Sequence, residues 1–297
     1  MWQFLSLGLL AELTVNGILF GAMYGVAAVG LSLIFGTMRI IFIAQGTIII
    51  LGAYLVYWLF TLGGIDPYLS LLLVVPAAFI AGAGVYQALF RKAAAISDKN
   101  TSLLIAVGLM FLVQNTMSYA WTPNPKSIVT GYTALGVEIL NMRLSFTRLM
   151  SMVIAFAATG AVVVFLRRTL VGKAVRAASE NMQAAMLMGI DPHRVNAIAF
   201  AIGFALAGAA GVALATTYPF DPYFGFVFAL KALIALALGG IGNVVGALVG
   251  GLALGLIESY SAFFISGGWA DAISYGVFLL VLMFRPEGLF VRSIKKA

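Results

Sequence analysis

The sequence has no cysteine and little charge. Without cysteine, none of its 297 residues can form a disulfide or supply a thiolate metal ligand. Only 9% of the residues are charged, whereas 63% are hydrophobic and the mean hydropathy is +1.08. An ordinary globular core cannot bury that much apolar surface, so the composition predicts a polytopic membrane protein.

Motifs for nucleotide binding, metal binding and catalysis are also missing. No Gly-x-x-x-x-Gly-Lys-Ser/Thr loop occurs, so any ATP hydrolysis has to be done by a partner. The single histidine, His193, lies beside Asp191 and Arg194 without the cluster that a metal site or a catalytic base would need. The sequence therefore predicts that the chain is not an enzyme and that it binds no metal or cofactor itself.

The net charge of +7 raises the question of nucleic acid, but the basic residues lie at predicted helix ends and in short loops rather than along one stripe. They form three clusters, within residues 91–99, 167–194 and 285–296. By the positive-inside rule all three are cytoplasmic. This predicts no nucleic-acid partner, an N-terminus outside and a C-terminus in the cytoplasm.

Apolar runs of about 20 residues, the length that crosses a bilayer, recur along the chain. The predicted spans are residues 13–35, 40–60, 68–90, 101–121, 146–166, 195–216, 242–264 and 269–284, with a shorter segment at 226–240. The predicted fold is an all-α transmembrane bundle with eight or nine membrane segments. Residues 1–297 form one membrane domain in this interpretation.

Glycines interrupt two of these segments, at residues 36–46 and 238–243. Paired interruptions in the two halves of a transporter indicate broken or re-entrant helices around a midplane pathway. Ionisable residues within spans cost at least a few kcal/mol and also invite a functional interpretation, although Lys231 has the alternative of snorkelling or pairing with a carboxylate. The predicted pathway residues are Gly36, Phe42, Gln45, Thr47, Lys231, Asn243 and Glu258.

Residues 171–189 form an amphipathic pattern between two spans. Polar residues recur at helical spacing, and between them lie Ala174, Ala178, Met182, Ala185 and Met186. We expect one cytoplasmic helix at about 171–190, with a solvated face and a packed face. Asp191-Pro192 closes this helix and caps the next span. A soluble partner can dock on the solvated face.

Several sequence pieces carry a family resemblance. Gln183-Ala-Ala-Met-Leu-Met-Gly189 is similar to the Glu-Ala-Ala-x-x-x-Gly pattern that ABC importer permeases present to their ATPases, with Gln in place of Glu. Further pieces occur in order along the chain: Gly30-Leu-Ser-Leu-Ile-Phe-Gly-Thr-Met-Arg-Ile40, Leu51-Gly-Ala-Tyr54, Gly172-Lys-Ala-Val-Arg-Ala177 with Met188-Gly-Ile190, Leu238-Gly-Gly-Ile-Gly-Asn243 and Arg285-Pro-Glu-Gly-Leu289. On these pieces the chain resembles the H-type permease subunit of the branched-chain amino-acid ABC importer family.

The resemblance implies a multi-pass subunit of the bacterial cytoplasmic (inner) membrane that works by alternating access. Its implied partners are a homologous second permease, two cytoplasmic ATPases that use ATP and Mg, and a periplasmic substrate-binding protein. The residues implied to couple the chain to the ATPases are Lys173, Arg176, Glu180, Gln183, Ala184, Ala185 and Gly189.

One departure bears on the solute. The family commonly carries an Asn, a His and a Glu around an Ala-x-Gly core where this chain has Phe42, Gln45 and Thr47. Branched-chain or other hydrophobic amino acids are the first expectation, and urea, short amides and aromatic acids are alternatives served by related permeases. An ion-coupled secondary transporter is the rival mechanism, because its broken helices have a similar pattern.

Overall fold

The computed structural model describes residues 7–93, 99–133, 136–139, 142–240, 242–284 and 288. The basic tail residues Arg285, Arg292, Lys295 and Lys296 lie outside the described part of the chain. So do Ile241 of the second interruption and all of the Arg285 to Leu289 motif except Gly288.

Twelve α-helices make up most of the described chain, and together with a π-helical turn at Tyr86–Phe90 and a 3-10 turn at Gly267–Trp269 they form the bundle. The helices are α1 Leu7–Met38, α2 Gln45–Gly63, α3 Leu71–Val85, α4 Arg91–Ala93, α5 Lys99–Trp121, α6 Phe146–Arg168, α7 Leu170–Glu180, α8 Met182–Leu187, α9 Pro192–Thr217, α10 Phe224–Gly239, α11 Val244–Phe264 and α12 Ala270–Phe284.

The helices match the predicted membrane segments. Eight helical stretches of the described chain are long and apolar enough to cross a membrane, and α10 is a shorter apolar helix. Each predicted span overlaps one of them. The predicted all-α bundle of eight or nine segments is therefore confirmed.

Both predicted interruptions are breaks in helical structure. Between α1 and α2, residues 39–44 leave the helical conformation, and Arg39 takes a left-handed φ of 57°. Between α10 and α11, Gly240 and Gly242 have φ values of 96° and 81°, a region that residues with a Cβ rarely adopt. The breaks lie side by side, because a Cβ added to Gly36 would lie 3.5 Å from the Cα of Gly242.

The helices α1 and α11 pack closely against each other through glycines. A Cβ on Gly21 would lie 2.6 Å from the carbonyl oxygen of Gly251, and a Cβ on Gly17 would lie 2.9 Å from the Cα of Leu256. Glycine at these positions lets the two backbones approach, as small residues do between membrane helices. Side chains larger than hydrogen at these two positions would therefore force α1 and α11 apart.

The two ends of the bundle are distinguished by different features. One end, where α1 and α6 finish and α9 begins, carries Arg39, Arg167, Arg168 and Arg194; we call it the basic end. The opposite end carries a hairpin that the sequence did not predict, in which β1 Gly136–Ile139 pairs antiparallel with β2 Met142–Ser145.

Two further contacts tie the loops at the opposite end. Lys126 and Phe220 exchange two backbone hydrogen bonds of 2.8 and 2.9 Å, which joins the loop after α5 to the loop before α10. The Tyr132 hydroxyl donates to Asp66 Oδ2 at 3.0 Å. Burial and the adjacent carboxylate both raise the pKa of Tyr132, so it remains a donor at neutral pH.

Candidate functional site

A sharp corner joins the last turn of α6 to α7. Thr169 has extended backbone angles, and its hydroxyl accepts a hydrogen bond of 2.9 Å from the Gly172 amide, which caps the new helix. A Cβ on Gly172 would collide with the backbone of Phe165 and Leu166. Glycine at this position therefore allows α7 to fold tightly against the end of α6.

The two faces expected for this region are present in α7. Lys173, Arg176 and Glu180 are exposed, whereas Val175 and Ala178 are buried against the bundle. Arg176 and Glu180 form an ion pair of 3.5 Å one helical turn apart. The solvated face predicted from the spacing of the polar residues is therefore confirmed for α7.

The expectation of one continuous helix was wrong. Asn181 has φ −153° and ψ 102°, so α7 ends at Glu180 and α8 begins at Met182. The Asn181 side chain accepts a hydrogen bond of 3.0 Å from the Ala184 amide and so caps α8. Asparagine often competes in this way with the helical backbone for hydrogen bonds.

The break also changes which side chains of α8 are accessible. Gln183 and Ala184 are exposed, whereas Ala185 is 4% exposed. Met186, which the pattern placed on the packed face, is 52% exposed. Together with Leu187 and Met188, which are 89% and 83% exposed, it forms an apolar patch on α8. We call this patch and the solvated face of α7 the coupling surface.

The end of α8 is fixed by a left-handed glycine. Gly189 has φ 82°, its amide donates to Met186 O at 3.0 Å, and the Ile190 amide donates to Ala185 O at 3.1 Å. These two bonds form the Schellman motif, which ends a helix at glycine. Asp191 then caps α9 by accepting a 2.9 Å bond from the His193 amide, with Pro192 at the first helical position, as the sequence predicted.

Arg39 connects the coupling surface to the first helix break. Its guanidinium donates to the Ser179 carbonyl oxygen at 3.4 Å, and so bridges the end of α1 and the end of α7. The α7–α8 segment is thus fixed to α6, to α9 and to α1. A displacement of this segment would act on three membrane helices at once.

The predicted pathway residues of the first break lie in the protein interior. Phe42 is 0% exposed and packs on Phe200 and Phe204, with ring centroids 4.9 and 5.6 Å apart. Gln45 is also fully buried, and its side-chain amide donates to Gly203 O at 3.2 Å. Thr47 is 2% exposed. In this conformation none of the three side chains reaches solvent.

Two other predicted pathway residues, Gly36 and Asn243, line a cavity of about 490 Å³ at the basic end. The same cavity is lined by Arg176 and Glu180 of the predicted coupling set. Asn243 caps α11 by accepting a 3.0 Å hydrogen bond from the Gly246 amide. The structure thus brings the two helix breaks and α7 together around one space.

The remaining predicted pathway residues, Lys231 and Glu258, belong to an ion cluster centred on the buried Lys231. The Lys231 ammonium donates to Glu258 Oε1 at 2.6 Å, to Asp271 Oδ1 at 3.0 Å and to the Tyr24 hydroxyl at 3.2 Å. All three of its protons are therefore used. The cluster connects α1, α10, α11 and α12. Of the alternatives considered for Lys231, pairing with a carboxylate is the one that the structure shows.

Sequence reasoning missed two members of this cluster, Asp271 and Tyr24. Asp271 had a weak signal, since it is an acidic residue in the first turn of the last membrane helix. Tyr24 had none, because nothing in the sequence indicates which helix α10 meets. Arg39, the link between α1 and α7, had only the weak signal of a single basic residue between two apolar runs.

The comparisons with known proteins agree with this geometry. Residues 13–282 match the family model described as branched-chain amino acid transport system / permease component. The chain is 32% identical over 293 residues to the high-affinity branched-chain amino acid transport system permease protein LivH of Escherichia coli strain K12, covering 93% of this chain and 94% of the relative. It is 30% identical over 290 residues to the corresponding protein BraD of Pseudomonas aeruginosa, covering 94% of each.

Among solved structures, PsaBC from Streptococcus pneumoniae in complex with Fab aligns with a TM-score of 0.50 at 10% identity, covering 92% of each chain. This likeness concerns the fold alone. The family follows from the match over residues 13–282 and from the identity across more than nine-tenths of two relatives. On this evidence the chain belongs to the family of permease components of branched-chain amino acid transport systems.

Proposed function

We propose that this chain is the membrane permease subunit of an ATP-driven importer that carries branched-chain or other hydrophobic amino acids across the cytoplasmic membrane by alternating access. The observation that carries the proposal is the coupling surface. Leu187 and Met188 are almost fully exposed at the basic end, on a short helix fixed at both of its ends. An exposed apolar patch rimmed by charge indicates a protein partner.

The partners in this proposal are those that the resemblance implies. Two cytoplasmic ATPases bind and hydrolyse ATP with Mg, a homologous second permease completes the membrane part, and a periplasmic protein delivers the solute. The positive-inside rule supports an orientation with the basic end and the C-terminus in the cytoplasm and the N-terminus outside. The coupling surface then faces the ATPases.

Motion passes from the ATPases to the membrane helices through rigid connections. The Thr169 corner joins α7 to α6, the Asp191-Pro192 cap joins α8 to α9, and Arg39 joins α7 to α1. Rigid-body displacement of a short surface segment can bias a packed helical bundle between two states. Of the predicted coupling residues, all but Ala185, which is buried within the chain, are accessible for this contact: Lys173, Arg176, Glu180, Gln183, Ala184 and Gly189.

Reconstitution tests this function directly. We expect the chain to give no ATP-dependent leucine uptake in proteoliposomes by itself, and uptake when the second permease, both ATPases and the binding protein are added. The matched control replaces the ATPases by variants without hydrolytic activity. Leucine uptake driven by an ion gradient through this chain alone would contradict the proposal and favour a secondary transporter.

Because the sequence has no cysteine, single cysteines introduced along the proposed pathway can be labelled specifically. Asn243→Cys, at the cavity, should react with a small polar thiol reagent in the resting assembly. Thr47→Cys should stay inert there because its side chain is buried, and it should react only when ATP binding changes the conformation. Labelling is measured by mass spectrometry. If Thr47→Cys and Gln45→Cys stay inert in every nucleotide state, the segment at 42–47 does not line the route.

A further inference from the structure

The cavity at the basic end has an electrostatic imbalance. Its charged lining residues are Arg167, Arg176 and Glu180, which leaves one positive charge in excess. Arg176 is paired with Glu180 at 3.5 Å. Arg167 has no carboxylate partner among the residues that the structure describes. Arg167, an exposed residue, therefore gives the cavity one guanidinium without a carboxylate partner, which suits a single negative charge.

Two further groups in the cavity can donate hydrogen bonds to an anion. The first is the N-terminus of α11, where the amides of Val244 and Val245 have no partner within the helix. The second is Ser32 on α1, which is 1% exposed and whose hydroxyl has no hydrogen-bond partner. A buried hydroxyl without a partner is costly unless a ligand or water satisfies it.

Aliphatic residues form much of the remaining wall, alongside Thr37 and Ser179. Leu33, Val163, Leu166 and Val175 contribute side chains from α1, α6 and α7. The volume of about 490 Å³ lies within the range of small-molecule sites, roughly 300–1,000 Å³. A free phosphate would use the polar part of this space and leave the aliphatic part empty. A carboxylate that carries a short aliphatic chain matches both parts.

We propose that this cavity is a binding site for a small aliphatic monocarboxylate, including an aliphatic amino acid, held by Arg167, Ser32 and the α11 amides. A ligand there contacts α1, α6, α7 and α11 together. Its presence therefore opposes movement of α7 relative to the membrane helices. The choice of leucine as the probe rests on the proposed function, whereas the chemistry of the cavity does not.

The test measures binding of radiolabelled leucine to the purified full chain in phosphatidylcholine nanodiscs, where no anionic lipid competes. We expect saturable binding that isovalerate displaces, because isovalerate has both the carboxylate and the aliphatic chain. Isoamylamine lacks the carboxylate and inorganic phosphate lacks the chain, so neither should displace leucine. Displacement by phosphate as effective as by isovalerate, or an absence of saturable binding, overturns the proposal.

Two neighbouring arginines provide matched variants. Arg167→Gln should weaken leucine binding at least about tenfold, since hydrogen bonds to charged groups contribute that much. Ser32→Ala should weaken it about threefold. Arg168→Gln should bind like the wild type, because Arg168 does not line the cavity. Equal affinities of Arg167→Gln and Arg168→Gln would place the leucine elsewhere and overturn the site.

The outcome of the binding test can be distinguished from the outcome of the reconstitution. If the assembled importer takes up leucine but Arg167→Gln binds it as tightly as the wild type, the site is refuted and the proposed function stands. If the assembly transports nothing while the two arginine variants differ as expected, the site stands and the proposed function fails.

Discussion

Replacing Leu187 with aspartate is expected to abolish leucine uptake by the assembled importer while the chain still inserts and elutes as a single species. Leu187 is 89% exposed on α8, so the substitution removes almost no contact within the chain. In the proposed complex the same position is covered by the ATPase. Burying an unpaired carboxylate there and losing an apolar anchor costs about 2–4 kcal/mol of association, roughly a 30- to 700-fold loss of affinity.

The measurements are uptake and co-purification of the ATPases with the permease. Val129→Asp is the matched control, since Val129 is also an exposed aliphatic residue, at 75%, but lies in the loop at the opposite end. We expect Val129→Asp to retain the ATPases in full. Normal uptake and normal ATPase recovery in Leu187→Asp would mean that α7 and α8 are only a solvated connector.

This position is a better probe than the ones that the sequence suggested. Ala185 is one of the predicted coupling residues, but it is buried within the chain, so a bulky residue there disrupts α8 itself. Gly189 is exposed with open space around it, yet its φ of 82° strains any residue with a Cβ. Substitution at either site would combine a local folding defect with a docking defect.

Lys231→Met is expected to destabilise the bundle strongly. The substitution leaves the Glu258 and Asp271 carboxylates close together without the cation that both contact. Removing one partner of a fully buried ion pair costs about 3–5 kcal/mol. The loss here is expected near the lower end of that range, because the side chains of Glu258 and Asp271 are 22% and 50% exposed. We expect a clear fall in the temperature at which the detergent-solubilised protein loses its monodisperse form. Lys92→Met, at an exposed lysine of the basic end, should leave that temperature unchanged.

A second variant separates stability from transport. Lys231→Met combined with Glu258→Gln removes one charge of each sign and should recover part of the lost stability, because only the half-exposed Asp271 carboxylate then lacks its cation. If Lys231→Met alone were as stable as the wild type but transported nothing, Lys231 would act on the solute pathway rather than hold α10, α11 and α12 together.

Features encoded locally could be predicted from the sequence. The membrane segments follow from apolar runs of sufficient length, because a bilayer admits only backbone that satisfies its own hydrogen bonds. The break between α10 and α11 follows from Gly240 and Gly242, and the cap of α9 follows from Asp191 and Pro192, since each acts through its own backbone geometry. Glycines flank the first break, but its left-handed residue is Arg39. The polar face of α7 follows from helical periodicity in the same way.

Other features depend on groups distant in the chain, and only the tertiary structure decided them. Lys231 meets Tyr24 from α1 and Asp271 from α12 because three helices pack around it, which no local pattern encodes. Gln45 is buried because its side chain finds the Gly203 carbonyl on α9. The cavity exists because the two helix breaks and α7 meet at one end.

The α7–α8 segment has features of both kinds, some encoded locally and some decided by tertiary contacts. Its composition indicated an amphipathic segment, and the sequence by itself determined the exposed polar residues and the position of its end at Gly189. The kink at Asn181 arises because the asparagine side chain hydrogen-bonds the Ala184 amide in place of the helical backbone. That exchange turns Ala185 inward and Met186 outward. A helical repeat alone could not assign them, because the choice depends on how α8 packs against the rest of the bundle.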